Sequence, residues 1–425
     1  MKRHYIQRVV DVELDEFLPQ LPAISLEGPK GVGKTETARR RAGTTYELDD
    51  PAQRAIVDAD PARILSGNPP LLIDEWQRVP PVWDVVRRAV DADPLPSRFL
   101  MTGSASPANA PTHSGAGRIV TVRMRPLSLA ERGLESPTVG LSDLLGGSRP
   151  EIGGKTDVKL ENYVNEIVRS GLPGFRSYSG RALRAQLDGY LHRIIERDFE
   201  EQGLSVRRPE TLRRWLVSYA AATATTASYE TIRDAATGGE SDKPAKTTTQ
   251  PWRDALERLW ILDPVPAWLP THNDFNRLAQ SPKHHLADPA LAVRLLGLDA
   301  DALLRGSESG PRVAGGGSLL GRLFEALVTL SLRVWAQARE AHVRHLRLHG
   351  GAREIDLIIE RADRRVLAIE VKLNRTVKDD DVRQLLWLKE QIGDQLLDAI
   401  VIHTGPEAYR RKDGVGVVPA ALLGA

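Results

Sequence analysis

Eight consecutive residues near the N-terminus have the types and spacing needed to bind a phosphate chain. They match G-x-x-x-x-G-K-[ST] directly after the strand-like run AISLE: Gly28, Pro29, Lys30, Gly31, Val32, Gly33, Lys34 and Thr35. The glycines let the backbone N–H groups turn toward phosphate oxygens at the start of a helix. Lys34 would then reach the β- and γ-phosphates, and the Thr35 hydroxyl would bind Mg²⁺. The alternative is a glycine-rich turn before a helix.

A second motif favours nucleotide binding over a plain turn. The apolar run LLIDE at 71–75 ends in two carboxylates. Asp74 would hold Mg²⁺ through water, and Glu75 would polarise the water that attacks the γ-phosphate. The run FLMTGS at 99–104 ends in hydroxyls, and we predict that Thr102 senses the γ-phosphate. A strand-end hydroxyl that caps the next turn is the alternative for Thr102.

A third group of candidate residues lies near the C-terminus. REIDLIIE (353–360) and RVLAIEVKL (365–373) would form a hairpin that brings Asp356 to Glu370, a carboxylate pair suited to Mg²⁺. Lys372 shares a strand face with Glu370 and could neutralise a developing phosphate charge. Glu325, on the preceding helix, is either a further metal ligand or a surface partner of Arg322. The alternative for the whole group is two strands with charged ends on a solvated edge.

The order of strand-like and helical runs along the chain predicts which elements position these residues. Strand-like and helical runs alternate over the first 125 residues, which indicates a parallel sheet, and amphipathic helices follow at 158–200. Three helices and an extended run then suggest a winged helix-turn-helix. We therefore predict a multidomain α/β protein. Its domains would be a P-loop ATPase core (1–150), a helical lid (151–205), a winged-helix-like module (206–275) and a C-terminal α/β domain (276–425).

The third helix of the winged-helix-like module is a weak candidate for reading DNA. It offers Arg253 and Arg258, which Asp254 and Glu257 oppose. A role as a lid or a protein-contact module is the alternative. The stretch from 339 to 375 holds nine basic and six acidic residues, a net charge of +3 (9 − 6) that suits a phosphate backbone but is also common on solvated surfaces.

The amino-acid composition excludes several classes of protein and site. The 425 residues carry 58 Lys+Arg and 56 Asp+Glu, so no global field attracts nucleic acid. The absence of cysteine excludes disulfides, thiolate zinc sites and a cysteine nucleophile, and it fits a reducing compartment. No run approaches the roughly 20 apolar residues of a membrane-spanning helix, so we expect a cytoplasmic protein without membrane contact.

With these motifs in hand, the chain resembles prokaryotic AAA+-like P-loop ATPases of the STAND-related group, whose C-terminal half is a domain of unknown function. The resemblance runs through nearly the whole chain and includes these further stretches: Gly117-Arg118, Arg125-Pro126-Leu127-Ser128 with Glu131, Ser170-Gly171-Leu172-Pro173, and Ile195-Glu196-Arg197-Asp198. It implies ATP as the nucleotide, and the chain contains no N-K-x-D motif for guanine. Arg118 could stabilise the γ-phosphate charge, in cis or from a neighbouring subunit, or be an ordinary solvated arginine.

The C-terminal pattern is similar to that of PD-(D/E)xK nucleases, although the proline before Asp356 is missing. This resemblance implies a restriction-endonuclease-like α/β fold for residues 276–425. Glu325 looks like the helix acid of that superfamily, and Gln384 lies where some branches have a helix glutamine. The first hypothesis is therefore an ATPase coupled to a Mg²⁺-dependent nuclease-like domain that acts on nucleic acid, most simply DNA. The second is a nucleotide-dependent switch or scaffold, open to oligomerisation, whose C-terminal domain binds a protein or nucleic acid without cleavage.

Overall fold

The apolar runs of the first 125 residues form a parallel sheet in the computed structural model, which describes residues 5–104, 115–201, 203–204, 206, 208–237, 244–270, 280–309, 318–348 and 353–425. Within these ranges the sheet has five strands: β1 (Ala23–Glu27), β2 (Thr44–Glu47), β3 (Leu71–Asp74), β4 (Phe99–Gly103) and β5 (Val120–Arg123). Their spatial order is β2-β3-β4-β1-β5, and each neighbouring pair is parallel. The predicted parallel sheet is therefore present.

Helices cover both faces of this sheet. They are α1 (Val9–Phe17), α2 (Lys34–Arg39), α3 (Pro51–Ala59) and α4 (Pro81–Ala92). Alternate residues of each central strand pack into separate apolar clusters on the two faces of the sheet. Ile73 belongs to the cluster that includes Trp83 of α4, whereas Leu72 belongs to the cluster that includes Leu14 of α1. This alternation follows from the two-residue period of a strand, and it buries β1, β3 and β4 completely.

Short helices fill the middle of the chain. They are α5 (Leu141–Leu145), α6 (Leu160–Val168), α7 (Gly180–Arg193), α8 (Phe199–Glu201), α9 (Pro209–Ala221), α10 (Tyr229–Ala235), α11 (Lys246–Arg258), α12 (Pro289–Leu295) and α13 (Ala300–Ser309). A π-helical turn, Ile194–Asp198, joins α7 to α8 without a break in the chain's helical course. The helices share one apolar cluster, which includes Leu187, Trp215 and Leu291.

A second sheet occupies the C-terminal part and takes in strands from the middle of the chain. Its strands are β7 (Gly154–Lys155), β8 (Ala267–Trp268), β9 (His342–Arg347), β10 (Glu354–Glu360), β11 (Val366–Val371), β12 (Leu396–His403), β13 (Glu407–Arg410) and β14 (Gly416–Pro419). Over the ranges described, their order is β7-β13-β14-β12-β11-β10-β9-β8. Helix α14 (Leu319–Gln337) packs on one face and α15 (Asp379–Ile392) on the other.

Two short strands that the prediction placed at the end of the ATPase core and the start of the lid pair with strands from the C-terminal end of the chain. A small parallel pair joins β6 (Val139–Gly140) to β15 (Leu423–Gly424), apart from the larger sheet, and β7 pairs with β13 within that sheet. Two-residue strands have no periodicity of their own, so the sequence could not indicate these pairings. The domain bounds themselves stay a prediction. Within the described part of the chain, no helix combines the length and apolarity needed to cross a bilayer.

Candidate ATPase site and C-terminal acidic cluster

The phosphate-binding loop lies between β1 and α2 and is closed around a buried lysine. Lys34 is 5 % exposed, and its Nζ donates to Gly28 O at 2.8 Å and Pro29 O at 3.0 Å. A Cβ on Gly28 would lie 2.1 Å from the Met124 carbonyl oxygen, and Gly33 has a φ of +104°, so glycine is required at both positions. Burial lowers the pKa of Lys34 to about 8.

Two contacts from outside the loop hold its backbone. Arg8, buried at the start of α1, donates to Val32 O at 3.0 Å and pairs with Glu131 at 3.1 Å. Tyr190 of α7 donates its hydroxyl to Lys30 O at 3.2 Å. Glu131, which belongs to the stretch after Arg125 noted in the sequence, therefore acts by fixing Arg8 against the loop. Nothing in the local sequence around Arg8 indicates this role.

The carboxyl ends of β3 and β4 bring three predicted residues together. Thr35 Oγ1 donates to Asp74 Oδ1 at 2.8 Å, and the Thr102 hydroxyl donates to the same carboxylate oxygen. Because β4 lies between β1 and β3, Thr102 is placed between the loop and Asp74. A hydroxyl and a carboxylate are the oxygen ligands that Mg²⁺ takes beside phosphates, so Thr35 and Asp74 fit the ion. Thr102 contacts Asp74, and its role toward a γ-phosphate stays a prediction.

Glu75 is turned out of its strand by a left-handed backbone conformation, with φ +54°. Its carboxylate accepts hydrogen bonds from the Gln77 side chain and from Ser104 Oγ, the latter at 3.4 Å. Ser104 also lies 3.2 Å from Lys34 Nζ. Ser104 thus joins the loop lysine to the proposed base. The sequence analysis did not single out Ser104, although its place directly after the TG of β4 could have indicated it.

Arg118 does not reach this site within its own chain. The phosphate loop follows the carboxyl end of β1, whereas Val120 pairs with Ile24 near the amino end. Arg118 lies two residues before Val120, beyond the opposite edge of the sheet, and at about 3.3 Å per residue it is more than 10 Å from the loop. It pairs there with Asp91 at 2.7 Å and is exposed. The predicted action in cis is therefore wrong, and the action from a neighbouring subunit stays a prediction.

Near the C-terminus, the predicted hairpin places Asp356 opposite Glu370. Strands β10 and β11 are antiparallel, with Leu357 paired to Ile369, so the register sets Asp356 beside Glu370 on the neighbouring strand. Asp356 Oδ2 accepts from the Val371 N–H at 2.9 Å, and Lys372 Nζ lies 2.7 Å from Glu370 Oε2. Burial, with the nearby Asp356 charge, raises the pKa of Glu370 well above its usual value. The three predicted residues are thus in contact.

A lysine that the sequence analysis missed lies in the middle of this group. Lys283 is 1 % exposed, and its Nζ lies 2.7 Å from Glu325 Oε1 and 3.5 Å from Asp356 Oδ1. Glu325 is itself buried, so the surface pair with Arg322 considered from the sequence is absent. Arg322 instead donates to the Ala221 carbonyl. We call Lys283, Glu325, Asp356, Glu370 and Lys372 the acidic cluster.

These residues do not fit the predicted metal ion. Over the residues that the structure describes, no group of three or more His, Asp or Glu side chains is arranged to hold a metal. The predicted ligands are paired with lysines instead: Glu325 and Asp356 with Lys283, and Glu370 with Lys372. Gln384 lies outside the cluster and accepts a hydrogen bond from Arg353. Sequence alone could not show this, since Lys283 lies far from the other members in the chain.

The helix predicted to read DNA has its first arginine engaged. The Arg253 guanidinium lies 4.4 Å from the ring centre of Tyr229 and 3.6 Å from Asp254. Arg258, five residues later, also has an interaction of its own. The positions of these arginines therefore give no support to DNA binding through α11. DNA binding stays a prediction, as does the winged-helix assignment.

The parallel sheet and the loop at 28–35 together have the arrangement of a P-loop nucleotide-binding domain. Residues 20–132 match the family model described as an AAA domain. Residues 160–302 and 320–423 match models of two domains of unknown function, DUF8612 and DUF4143. The restriction-endonuclease-like assignment of the C-terminal part therefore rests on the sequence resemblance alone.

Two proteins are similar to this chain in sequence, and one solved structure is similar to part of it. Uncharacterized proteins of Mycobacterium bovis (strain AF2122/97) and Mycobacterium tuberculosis (strain H37Rv) are each 27% identical over 427 residues, which covers 97% of this chain and 83% of theirs. A solved structure, the Walker-type ATPase of Pyrococcus abyssi, has 17% identity and a TM-score of 0.37 and covers 69% of this chain and 97% of its own.

Proposed function

We propose that the protein binds and hydrolyses ATP and works as a nucleotide-dependent switch for its C-terminal domain. The observation that carries the ATPase proposal is the convergence of Lys34, Thr35, Asp74 and Glu75 at one edge of the parallel sheet. Lys34 and Thr35 begin α2, Asp74 and Glu75 lie at the end of β3, and Ser104, directly after β4, joins the lysine to Glu75. Such a convergence distinguishes a nucleotide site from an isolated glycine-rich turn.

Each residue has a distinct task in this proposal. Lys34 neutralises charge on the β- and γ-phosphates, while the loop N–H groups bind their oxygens. Thr35 and Asp74 hold Mg²⁺, which supplies charge stabilisation for phosphoryl transfer. Glu75 accepts a proton from the attacking water, and its bonds to Gln77 and Ser104 fix the direction of the carboxylate. The absence of a guanine-reading motif supports ATP over GTP.

Buried charge links the ATPase sheet to the rest of the chain, which supports a switch. Asp263, just after α11, lies 2.9 Å from Arg123 at the end of β5, 3.0 Å from Arg125 and 2.9 Å from Arg333 of α14. We call these four residues the arginine cluster. A movement of β5 on nucleotide binding would therefore act on both α14 and the segment after α11.

A Mg²⁺-dependent nuclease is the second candidate for the C-terminal domain. The contact of Asp356, Glu370 and Lys372 favours it, because these are the residues such chemistry uses. The Lys283 ammonium between Glu325 and Asp356 opposes it. The switch function is compatible with three further proposals. They are a protein partner for the module formed by α9–α11, DNA as a ligand, and self-association.

Phosphate release from ATP with Mg²⁺, with and without DNA, tests the function, and the DNA from the same reactions is run on a gel. We expect wild-type protein to release phosphate, Lys34→Ala to release none, and the DNA to stay intact. Absence of phosphate release in every condition would contradict the ATPase proposal. Cleavage that Lys372→Ala abolishes would make the nuclease the better candidate.

A further inference from the structure

Lys283 has the surroundings of a bound cation. Four oxygens lie within 3.7 Å of its Nζ: Glu325 Oε1 at 2.7 Å, the Asp356 carbonyl oxygen at 3.2 Å, Asp356 Oδ1 at 3.5 Å and Glu354 Oε1 at 3.7 Å. The side chain is buried, so water does not share in its solvation. Burial works against the charged form, but the carboxylates outweigh it and raise the pKa of Lys283. The lysine is therefore an ammonium ion inside the domain.

The ammonium lies between two of the three acids that a nuclease-like site would use to hold its metal. Such an ion would be shared by Glu325, Asp356 and Glu370, with metal–oxygen distances of about 2.0–2.1 Å for Mg²⁺. Lys283 already bonds Glu325 and contacts Asp356, and Lys372 bonds Glu370. A divalent ion could bind here only if the Lys283 ammonium were displaced from these carboxylates. The displaced ammonium would then be a buried charge without a counter-charge, which is costly.

Each acid of the cluster already has a lysine as its counter-charge. Lys283 Nζ lies 2.7 Å from Glu325 and 3.5 Å from Asp356, and Lys372 Nζ lies 2.7 Å from Glu370. A divalent cation would therefore have to compete with these ammonium groups for the same carboxylates.

The backbone of Lys283 is also fixed. Its N–H donates to Val265 O at 2.9 Å, and its carbonyl accepts from the Val265 N–H at 2.8 Å. Val265 lies two residues after Asp263 of the arginine cluster and two before β8 at the edge of the C-terminal sheet. The lysine is therefore held on a segment that both the ATPase sheet and the C-terminal sheet contact.

We propose that the Lys283 ammonium is the resident cation of the acidic cluster, in the place of a divalent metal, and that the C-terminal domain does not cleave phosphodiesters. The cluster is then an ion-pair network that fastens the 283–288 segment to α14 and β10. The inference rests on the cluster alone and is independent of ATP hydrolysis.

Mn²⁺ binding to the nucleotide-free full chain tests the proposal, with electron paramagnetic resonance as the measure of free ion. Wild type and Asp356→Asn should bind the same amount of Mn²⁺, because the cluster contributes no site. Lys283→Met should gain one site, and Asp356→Asn in that background should remove it. Lys389→Met, which changes an exposed lysine of α15, is the matched control and should behave as wild type.

A Mn²⁺ site in wild type that Asp356→Asn removes would overturn the proposal, as would DNA cleavage that depends on Lys372. If Lys283→Met fails to fold, the comparison of wild type with Asp356→Asn decides alone. Phosphate release from ATP by the same preparations reports on the other site, so a failure of the ATPase proposal is read separately.

Discussion

Lys30 of the phosphate-binding loop forms an ion pair with Asp198, with Nζ 2.6 Å from Oδ1. Asp198 ends the π-helical turn between α7 and α8, and Glu201 of α8 adds a second carboxylate at 3.1 Å. π-helical turns inside longer helices are frequent at functional sites. The helical segment at 180–201 is therefore tied to the loop that would receive the phosphates.

Replacement of Asp198 by Asn should release this helical segment from the loop. We expect faster amide hydrogen exchange over residues 180–201 without nucleotide, and a smaller change when ATP is added, because the charge that links helix and loop is lost. Hydrogen exchange followed by mass spectrometry measures both. Glu196→Gln, on the same turn but exposed and paired with His192, is the control. Equal exchange in the two variants would argue against the link.

Glu75→Gln should stop ATP turnover and leave ATP binding intact. Glutamine keeps the size of the side chain but cannot accept a proton from water, and such a loss typically lowers the rate about 10²–10⁴-fold. Phosphate release and an ATP titration measure the two properties. Glu161→Gln, an exposed acid of α6, should match wild type. Unchanged hydrolysis by Glu75→Gln would show that another group is the base.

ATP affinity should weaken above about pH 8. Burial lowers the pKa of Lys34 to about 8, so the free protein loses the ammonium charge as pH rises through that value. Phosphates bind the charged form better, and linkage then gives at most about a tenfold loss of affinity per pH unit. Fluorescence titration with an ATP analogue over this range measures it. The residual affinity of Lys34→Ala should not change with pH, and an equally flat profile for wild type would refute the expectation.

Asp263→Asn should destabilise the protein strongly. The carboxylate is buried, and burial opposes its charge, but Arg123, Arg333 and Arg125 outweigh this and lower the pKa of Asp263. The amide would leave three guanidinium groups without their counter-anion, which should lower the free energy of unfolding by about 3–5 kcal/mol. Asp254 is a partly exposed partner of Arg253, so Asp254→Asn should lower the free energy of unfolding by only about 0–1 kcal/mol. Urea unfolding at neutral pH compares the two.

The pH dependence of that difference has a definite sign. A carboxylate with a lowered pKa stabilises the fold above the pKa of the unfolded chain, about 3.9, and this contribution is lost as pH falls below it. The gap between wild type and Asp263→Asn should therefore be largest near neutrality and shrink below about pH 4. A gap that stays constant on acidification would contradict the role of the charge.

Much of the candidate nucleotide site could be located from the sequence because its signals are local in the chain. The loop at 28–35 and the carboxylates after LLID identify themselves by spacing and by the strands before them. Parallel strands then bring these ends to one edge of the sheet, as the structure has them. The hairpin that joins Asp356 to Glu370 was predictable for the same reason, since a short turn separates its strands.

Other features depended on contacts between residues far apart in sequence, and only the tertiary structure decided them. Arg118 lies at the wrong edge because the pairing of β5 sets its position. Lys283 is 42 residues from Glu325 and 73 from Asp356, and no local pattern marks it as their partner. A buried charge is stable only beside its counter-charges, and the fold alone determines which charges those are. The sequence thus located the candidate residues for phosphate chemistry, and only the tertiary structure placed the Lys283 ammonium among the C-terminal acids.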